Sequence, residues 1–273
     1  MNPAGARIDP DEHAARLELG ETLDDIMRDL LPWALAYADP PISGFRVGAI
    51  ACGESGALYA GANLEFPGMP LSASVHAEQA AVVNAWMHGE SEIQAIAATA
   101  TPCGHCRQFL VELGDPQRLA IYLDQHRSFT LADLLPHSFG PRDLGVAQPG
   151  MLGAWEPALE ARIDGDDELG LAALGAARAS YAPYSRAFAG VALQTADGTT
   201  VTGRYAESAA YNPSLPALQA ALVQLALRGT DRSKVEAAVL VETNAESSQH
   251  SAAKELLGSF CSASLRYVGT GLT

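Results

Sequence analysis

The sequence predicts a layered α/β protein in which one unit is built twice in tandem. Three observations carry that expectation. Short apolar, β-prone segments alternate with segments of helical apolar spacing through the first half. The second half then repeats the first at a nearly constant offset. Pro183-Tyr184-Ser185 and Gly190-Val191-Ala192 parallel Pro41-Ile42-Ser43 and Gly48-Ala49-Ile50, 142 residues on, and Gly203 and Glu207 parallel Gly61 and Glu65 likewise. Pro216-Ala217-Leu218-Gln219-Ala220-Ala221 parallels His76-Ala77-Glu78-Gln79-Ala80-Ala81 at an offset of 140. A repeat of this length is a duplicated domain, not a solenoid. Between the halves, residues 145–157 carry three Gly and two Pro and read as a linker. The expected organisation is therefore a lead-in (1–20), a first unit (21–144), the linker (145–157) and a second unit (158–273).

The lead-in is polar and reads as irregular or partly helical, with no apolar signal core. From Glu21 to Ala38, Leu23, Ile26, Met27, Leu30, Leu31 and Leu35 recur at helical spacing. Pro32 is placed to kink or split that helix, and Asp39-Pro40-Pro41 ends it. Phe45–Ala51 and Leu58–Leu64 read as a hairpin around the turn Gly53-Glu54-Ser55-Gly56. Ser74 is the expected N-cap of a helix over residues 75–87. Ile93–Thr101 reads as a buried strand, Gly104–Leu113 as a helix and Leu119–Leu123 as a further strand.

Acidic residues outnumber basic ones 32 to 17, for a net charge of −15. Such a surface repels a phosphate backbone, and no compact basic patch offsets it, so a polynucleotide partner is not expected. A small, weakly charged substrate fits better. No run of about 18 apolar residues exists, so no membrane span is expected. Of four cysteines only Cys103 and Cys106 are closely spaced, which is no disulfide framework and points to a reducing, cytoplasmic setting.

The chemistry concentrates at His76-Ala77-Glu78 and at Pro102-Cys103-Gly104-His105-Cys106, in which Cys103 lies 27 positions after His76. One imidazole and two thiolates make three good zinc ligands with a fourth position open. Cysteines at C-x-x-C spacing share one metal from a single turn, and at a helix start the backbone N–H groups and helix dipole favour the thiolate. Glu78 lies two positions from His76, near enough to move protons beside the metal without being a ligand. This arrangement, H-x-E followed by P-C-x-x-C, is the signature of zinc nucleobase deaminases.

Each residue also has a plainer reading. Cys103-Gly104-His105-Cys106 is also a dithiol redox sequence, although Pro102 and the His76/Glu78 pair have no part in that chemistry. Taken alone, His76 is a helix-start histidine and Glu78 a solvated acid. Cys52 and Cys261 read as small buried hydrophobes. On a strand, Asn63 and Glu65 share one face, where an amide beside a carboxylate suits a ribose diol; the alternative is two solvated polar groups on an edge. Phe45 is a core aromatic or a ring that stacks on a base.

These motifs resemble the cytidine deaminase family, in particular its larger, two-domain homodimeric class. The resemblance is strongest from Pro41 to Glu112, through Ser43-Gly44-Phe45, Gly61-Ala62-Asn63-Leu64-Glu65-Phe66, His76-Ala77-Glu78-Gln79 and Thr101-Pro102-Cys103-Gly104-His105-Cys106-Arg107-Gln108-Phe109. It continues through Leu134-Leu135-Pro136 and Phe139-Gly140-Pro141. The second half resembles that class's zinc-free domain, notably in Pro183-Tyr184-Ser185 and Tyr205-Ala206-Glu207-Ser208-Ala209-Ala210-Tyr211-Asn212-Pro213; in the repeat, Pro216 and Leu218 stand where the first half has His76 and Glu78. The resemblance implies a three-layer α/β/α fold in tandem, each mixed sheet flanked by helices. It implies one zinc per chain on His76, Cys103 and Cys106, proton transfer by Glu78, and a nucleoside pocket formed by Asn63, Leu64, Glu65, Phe45 and Ala77. His105 or Arg107 would partly neutralise the thiolates. The implied activity is deamination of cytidine and 2′-deoxycytidine by a homodimer whose active sites lie near the subunit interface. Another zinc deaminase, acting on a nucleotide or a base, is the alternative, with thiol–disulfide exchange behind it.

Overall fold

The computed structural model describes residues 5–272 apart from 116, 124–126, 147–149 and 154. The chain divides into two compact units. The first comprises Met1–Glu65, Ser74–Gly153 and Ser208–Pro213; the second comprises Phe66–Ala73, Ala154–Glu207 and Ser214–Thr273.

The sheet of the first unit contains β1 (Arg7–Ile8), β2 (Gly48–Gly53), β3 (Leu58–Ala62), β4 (Ile93–Ala98), β5 (Ala120–Leu123) and β6 (Arg127–Thr130). Its order is β1-β3-β2-β4-β5-β6. The β4–β5 pair is parallel and the others antiparallel, so the sheet is mixed. A parallel neighbour needs a crossover connection, and α5 (Gly104–Leu110) lies within the one from β4 to β5. The metal motif occupies the start of that crossover.

Two glycines show why helices cover both faces. Gly48 pairs with Ala62 and Gly61 with Ala49, so on adjacent strands they point to opposite faces. A Cβ on Gly48 would stand 2.6 Å from the backbone nitrogen of Leu35, in α3 (Leu31–Leu35). A Cβ on Gly61 would stand 2.0 Å from that of Ala81, in α4 (Ala77–Met87). Each helix backbone therefore rests directly on a glycine. Helix α4 is buried on all sides from Ala77 to Trp86, which its nearly continuous apolar sequence permits.

The second unit contains β7 (Leu159–Glu160), β8 (Ala189–Thr195), β9 (Thr200–Arg204), β10 (Val235–Thr243) and β11 (Leu265–Leu272), in the order β7-β11-β10-β8-β9. Read from β9, the run β9-β8-β10-β11 repeats β3-β2-β4-β5, with the parallel pair again between its last two members. Gly190 lies against α7 (Glu168–Arg178) and Gly203 against α8 (Ala217–Leu227), at the repeat positions of Gly48 and Gly61. The remaining helix of this unit is α9 (His250–Gly258).

Several elements differ from expectation. Among its described residues, 5–20, the lead-in forms β1, which pairs with β3, and then α1 (Pro10–Glu18). A two-residue strand has no periodicity to read. The helix expected over residues 21–38 divides at Leu30 into α2 (Leu23–Asp29) and α3, with Pro32 in the first turn of α3, where its missing N–H costs nothing. Thr22 caps α2, accepting from the Asp25 N–H at 3.2 Å. The pair β6 and α6 (Leu131–Leu134) was unexpected. Among the described residues no helix is long and apolar enough to cross a membrane.

Candidate metal centre and nucleoside pocket

His76 is the N-cap of α4, with extended backbone at φ −90° and ψ 153°. This corrects the expectation that Ser74 caps the helix. Val75 exchanges two 2.9 Å backbone bonds with Leu64, so the chain is still extended there and cannot enter a helix earlier. Cys103 is likewise the N-cap of α5, and Cys106 lies in its first turn. The three side chains converge. His76 Nδ1 lies 3.4 Å from Cys103 Sγ and 3.2 Å from Cys106 Sγ, and the sulfurs are 3.7 Å apart. A tetrahedral zinc with Zn–S of about 2.3 Å and Zn–N of about 2.0 Å spaces sulfur from sulfur by about 3.8 Å and sulfur from nitrogen by about 3.5 Å. The donor set and its dimensions fit one zinc with a fourth position free. Among the described residues this is the one group disposed to hold a metal.

The environment separates the two sulfurs. The Cys103 thiol is held down to about 4, first by its hydrogen bond with Cys106, then by backbone N–H groups and His76, against an opposing push from burial. Cys106, hydrogen-bonded with Cys103 and buried, is held up as a thiol. Metal binding removes that proton. Glu78 is buried, with Oε2 3.3 Å from Cys106 Sγ. Burial pushes its carboxyl above the ordinary range, against lowering by its own backbone N–H and by Cys106. The His105 ring stacks on that of His76, with centroids 5.2 Å apart. Arg107 differs from expectation: its guanidinium donates to the carbonyls of Pro102 and Leu134, each at 2.7 Å, bracing the loop before Cys103 instead of facing the sulfurs.

Asn63 and Glu65 lie just beyond β3 and grip one loop. Asn63 Oδ1 accepts from the Val47 N–H at 2.8 Å, and Nδ2 donates to the Phe45 carbonyl at 2.9 Å. Glu65 accepts from the N–H groups of Ile42 and Ser43, both at 2.8 Å, and from Ser43 Oγ at 2.5 Å. Burial pushes the Glu65 carboxyl up, but these donors outweigh it and hold it below the ordinary range. Phe45, carried by the loop, is 64% exposed, so its ring is not a core aromatic. The side chains of Leu64 and Ala77 are buried. The backbone of Leu64 is committed to Val75.

Residues 21–122 and 131–254 each match the family described as "Cytidine and deoxycytidylate deaminase zinc-binding region". The chain is 48% identical over 265 residues to a cytidine deaminase of Aeromonas hydrophila, covering 96% of this chain and 89% of the relative. It is 49% identical over 230 residues to one from Photorhabdus laumondii (84% and 77% covered), and 51% over 213 residues to one from Serratia proteamaculans (78% and 71%). This chain belongs to the cytidine deaminase family.

Within this cytidine deaminase family chain, the second match falls on a repeat without the ligands. Pro216 is the N-cap of α8, and Leu218 is 1% exposed in its first turn. There Gln249 Oε1 accepts from the Ala217 N–H at 2.9 Å, and buried Glu242 accepts from the Gln249 N–H at 2.9 Å. Hydrogen bonds join the starts of α8 and α9 at the positions that carry metal ligands in the first repeat. Glu207 accepts from the N–H groups of Tyr184, at 2.8 Å, and Ser185, as Glu65 does from Ile42 and Ser43. Sequence spacing passed over two buried polar residues of the first unit, Gln79 and Glu112. The available sign for Gln79 was its retention as Gln219 in the second repeat, where His76 and Glu78 are replaced.

Proposed function

We propose that this protein is a zinc-dependent cytidine deaminase, converting cytidine and 2′-deoxycytidine with water to the uridine nucleosides and ammonia, in pyrimidine salvage. The observation that carries the reading is a buried carboxylate, Glu78, 3.3 Å from one sulfur of a three-donor set with room for a fourth ligand. When bound, zinc supplies a water whose pKa is lowered towards about 7. Glu78 takes a proton from that water and delivers it to ring N3 as oxygen attacks C4. It then takes the second proton, from the hydroxyl now on C4, and passes it to the exocyclic amino group, which leaves as ammonia as C4 becomes a carbonyl. A carboxylate beside the metal position without being a ligand can both accept and return protons. Asn63 and Glu65 hold the loop that bears Phe45 and present their remaining hydrogen-bonding capacity to the ribose hydroxyls. Phe45 packs on the pyrimidine ring. Leu64 and Ala77 shape the pocket wall, Ala77 from the first turn of α4.

Supporting the nucleoside substrate are the acidic composition and the absence of a compact basic patch for phosphate. We place the enzyme in the cytoplasm as a homodimer, with residues 21–144 carrying the chemistry and residues 158–273 zinc-free. The test is metal analysis of the purified protein together with the fall in ultraviolet absorbance as cytidine becomes uridine. A zinc-loaded protein inert towards cytidine would overturn the assignment.

A further inference from the structure

Gln79 follows Glu78 by one residue, is 1% exposed, and bonds in two directions. Its Oε1 accepts from the His76 N–H at 3.3 Å, and its Nε2 donates to the Pro213 carbonyl at 3.0 Å. A side chain at the third helical position reaching back to the N-cap N–H is a common capping device. Here the capped residue also carries the metal-facing Nδ1, so holding its backbone holds that nitrogen over the two sulfurs. A free terminal amide presents either its oxygen or its nitrogen. Only one orientation satisfies both partners at residue 79. The Pro213 carbonyl takes the NH2 group, which leaves the oxygen for His76.

Pro213 ends Ser208–Pro213, a segment that belongs to the first unit. Near its other end, the Ala209 N–H donates to Glu112 at 2.7 Å. Glu112 is fully buried in the single turn Val111–Leu113 that directly continues α5. The segment thus ties the helix bearing Cys103 and Cys106 to the helix bearing His76. In the second repeat Gln219 occupies the same place, but the N-cap is Pro216, which has no N–H. The acceptor half of the arrangement has its partner only where a metal ligand stands.

We propose that Ser208–Pro213 is a strap that positions the metal centre, acting through Gln79 as a positioning residue for His76. The proposal rests on the reading of His76, Cys103 and Cys106 as zinc ligands. The test uses full-length protein with Gln79→Met, which removes both bonds at similar volume, and Gln79→Glu, which keeps the acceptor and sets it against the Pro213 carbonyl. The readouts are zinc transfer to a chromogenic chelator, the visible bands of the cobalt(II)-substituted protein, and kcat and KM separately. Groups that orient metal ligands typically govern affinity or activity by roughly 10–100-fold. Zinc release at least about tenfold faster is therefore expected, with shifted cobalt bands and a fall in kcat at nearly constant KM for cytidine. A merely structural Gln79 would lower the unfolding temperature and leave release rate and bands at wild type, which overturns the strap. Should Gln79→Met fail to fold, the nearly isosteric Gln79→Glu decides on the same readouts. A wild-type protein without zinc overturns the ligand assignment itself. A wild type with one zinc and indistinguishable variants overturns the strap alone.

Discussion

Glu78 and Asn63 make opposite demands on their surroundings, and substitutions separate them. Glu78 lies buried beside the ligands without being one, so Glu78→Gln should retain zinc and lose turnover. General acid–base groups contribute roughly 10²–10⁴-fold, and one carboxylate serving several transfers should lie at or beyond the upper end. Metal analysis with a cytidine assay checks this; near-wild-type turnover would remove Glu78 from the mechanism. Asn63 and Glu65 serve a loop, and by our proposal a ribose. Asn63→Ala and Glu65→Ala should each raise KM for cytidine with zinc content intact. A hydrogen bond typically contributes on the order of 0.5–1.5 kcal/mol, and one to a charged group about 1.5–3 kcal/mol. Free cytosine separates the two duties. A pure loop latch would weaken cytosine and cytidine alike, whereas ribose contacts weaken cytidine alone and leave cytosine poor throughout. The ligands were legible because metal chemistry restricts residue type and spacing together. The grip on Ile42, Ser43 and Val47 was not, because its partners are backbone groups that any residue supplies.

At the scale of elements, glycine positions carry much of the architecture. Gly48, Gly61, Gly190 and Gly203 mark where a helix backbone meets a strand, and they were visible as repeated letters before their cause was known. Gly61→Ala would put a methyl 2.0 Å from the Ala81 nitrogen, backbone that cannot yield without moving α4 and with it His76 and Glu78. Overpacking typically costs about 1–3 kcal/mol, so Gly61→Ala should lower the thermal midpoint and weaken zinc retention together. Gly175 is the control. It lies exposed in α7, where an added methyl would meet nothing within 4 Å, so Gly175→Ala should be neutral or stabilising by about 0.5–1 kcal/mol. Differential scanning of the three proteins decides it; a tolerated Gly61→Ala would mean that α4 is free to shift. Helices and central strands were legible from apolar period and from the repeat. Their edges were not. The Leu64–Val75 bridge delays the start of α4, and β1 is too short to show a period, so tertiary pairing set boundaries that local sequence could not.

For the whole molecule, duplication left two similar sheets and, among the described residues, one group disposed to hold a metal. Native metal analysis should therefore give one zinc per chain, since Pro216 and Leu218 offer neither a ligand nor a proton carrier where His76 and Glu78 stand. The first unit nevertheless draws on second-half sequence, because Ser208–Pro213 belongs to it. A chain of residues 1–145 would strip Gln79 of the Pro213 carbonyl and fully buried Glu112 of the Ala209 N–H. It would also remove the Met151 N–H, which bonds the Glu112 carbonyl at 2.7 Å. Each buried group left short of a partner costs about 1–3 kcal/mol, against a total stability of roughly 5–15 kcal/mol for a domain. That fragment should be poorly soluble or inactive although its complete motif is present. Metal content, solubility and cytidine turnover of the fragment beside the full chain test the point. Two zincs per full chain, or a soluble fragment with full activity, would show that the second repeat was retained for something other than completing the first.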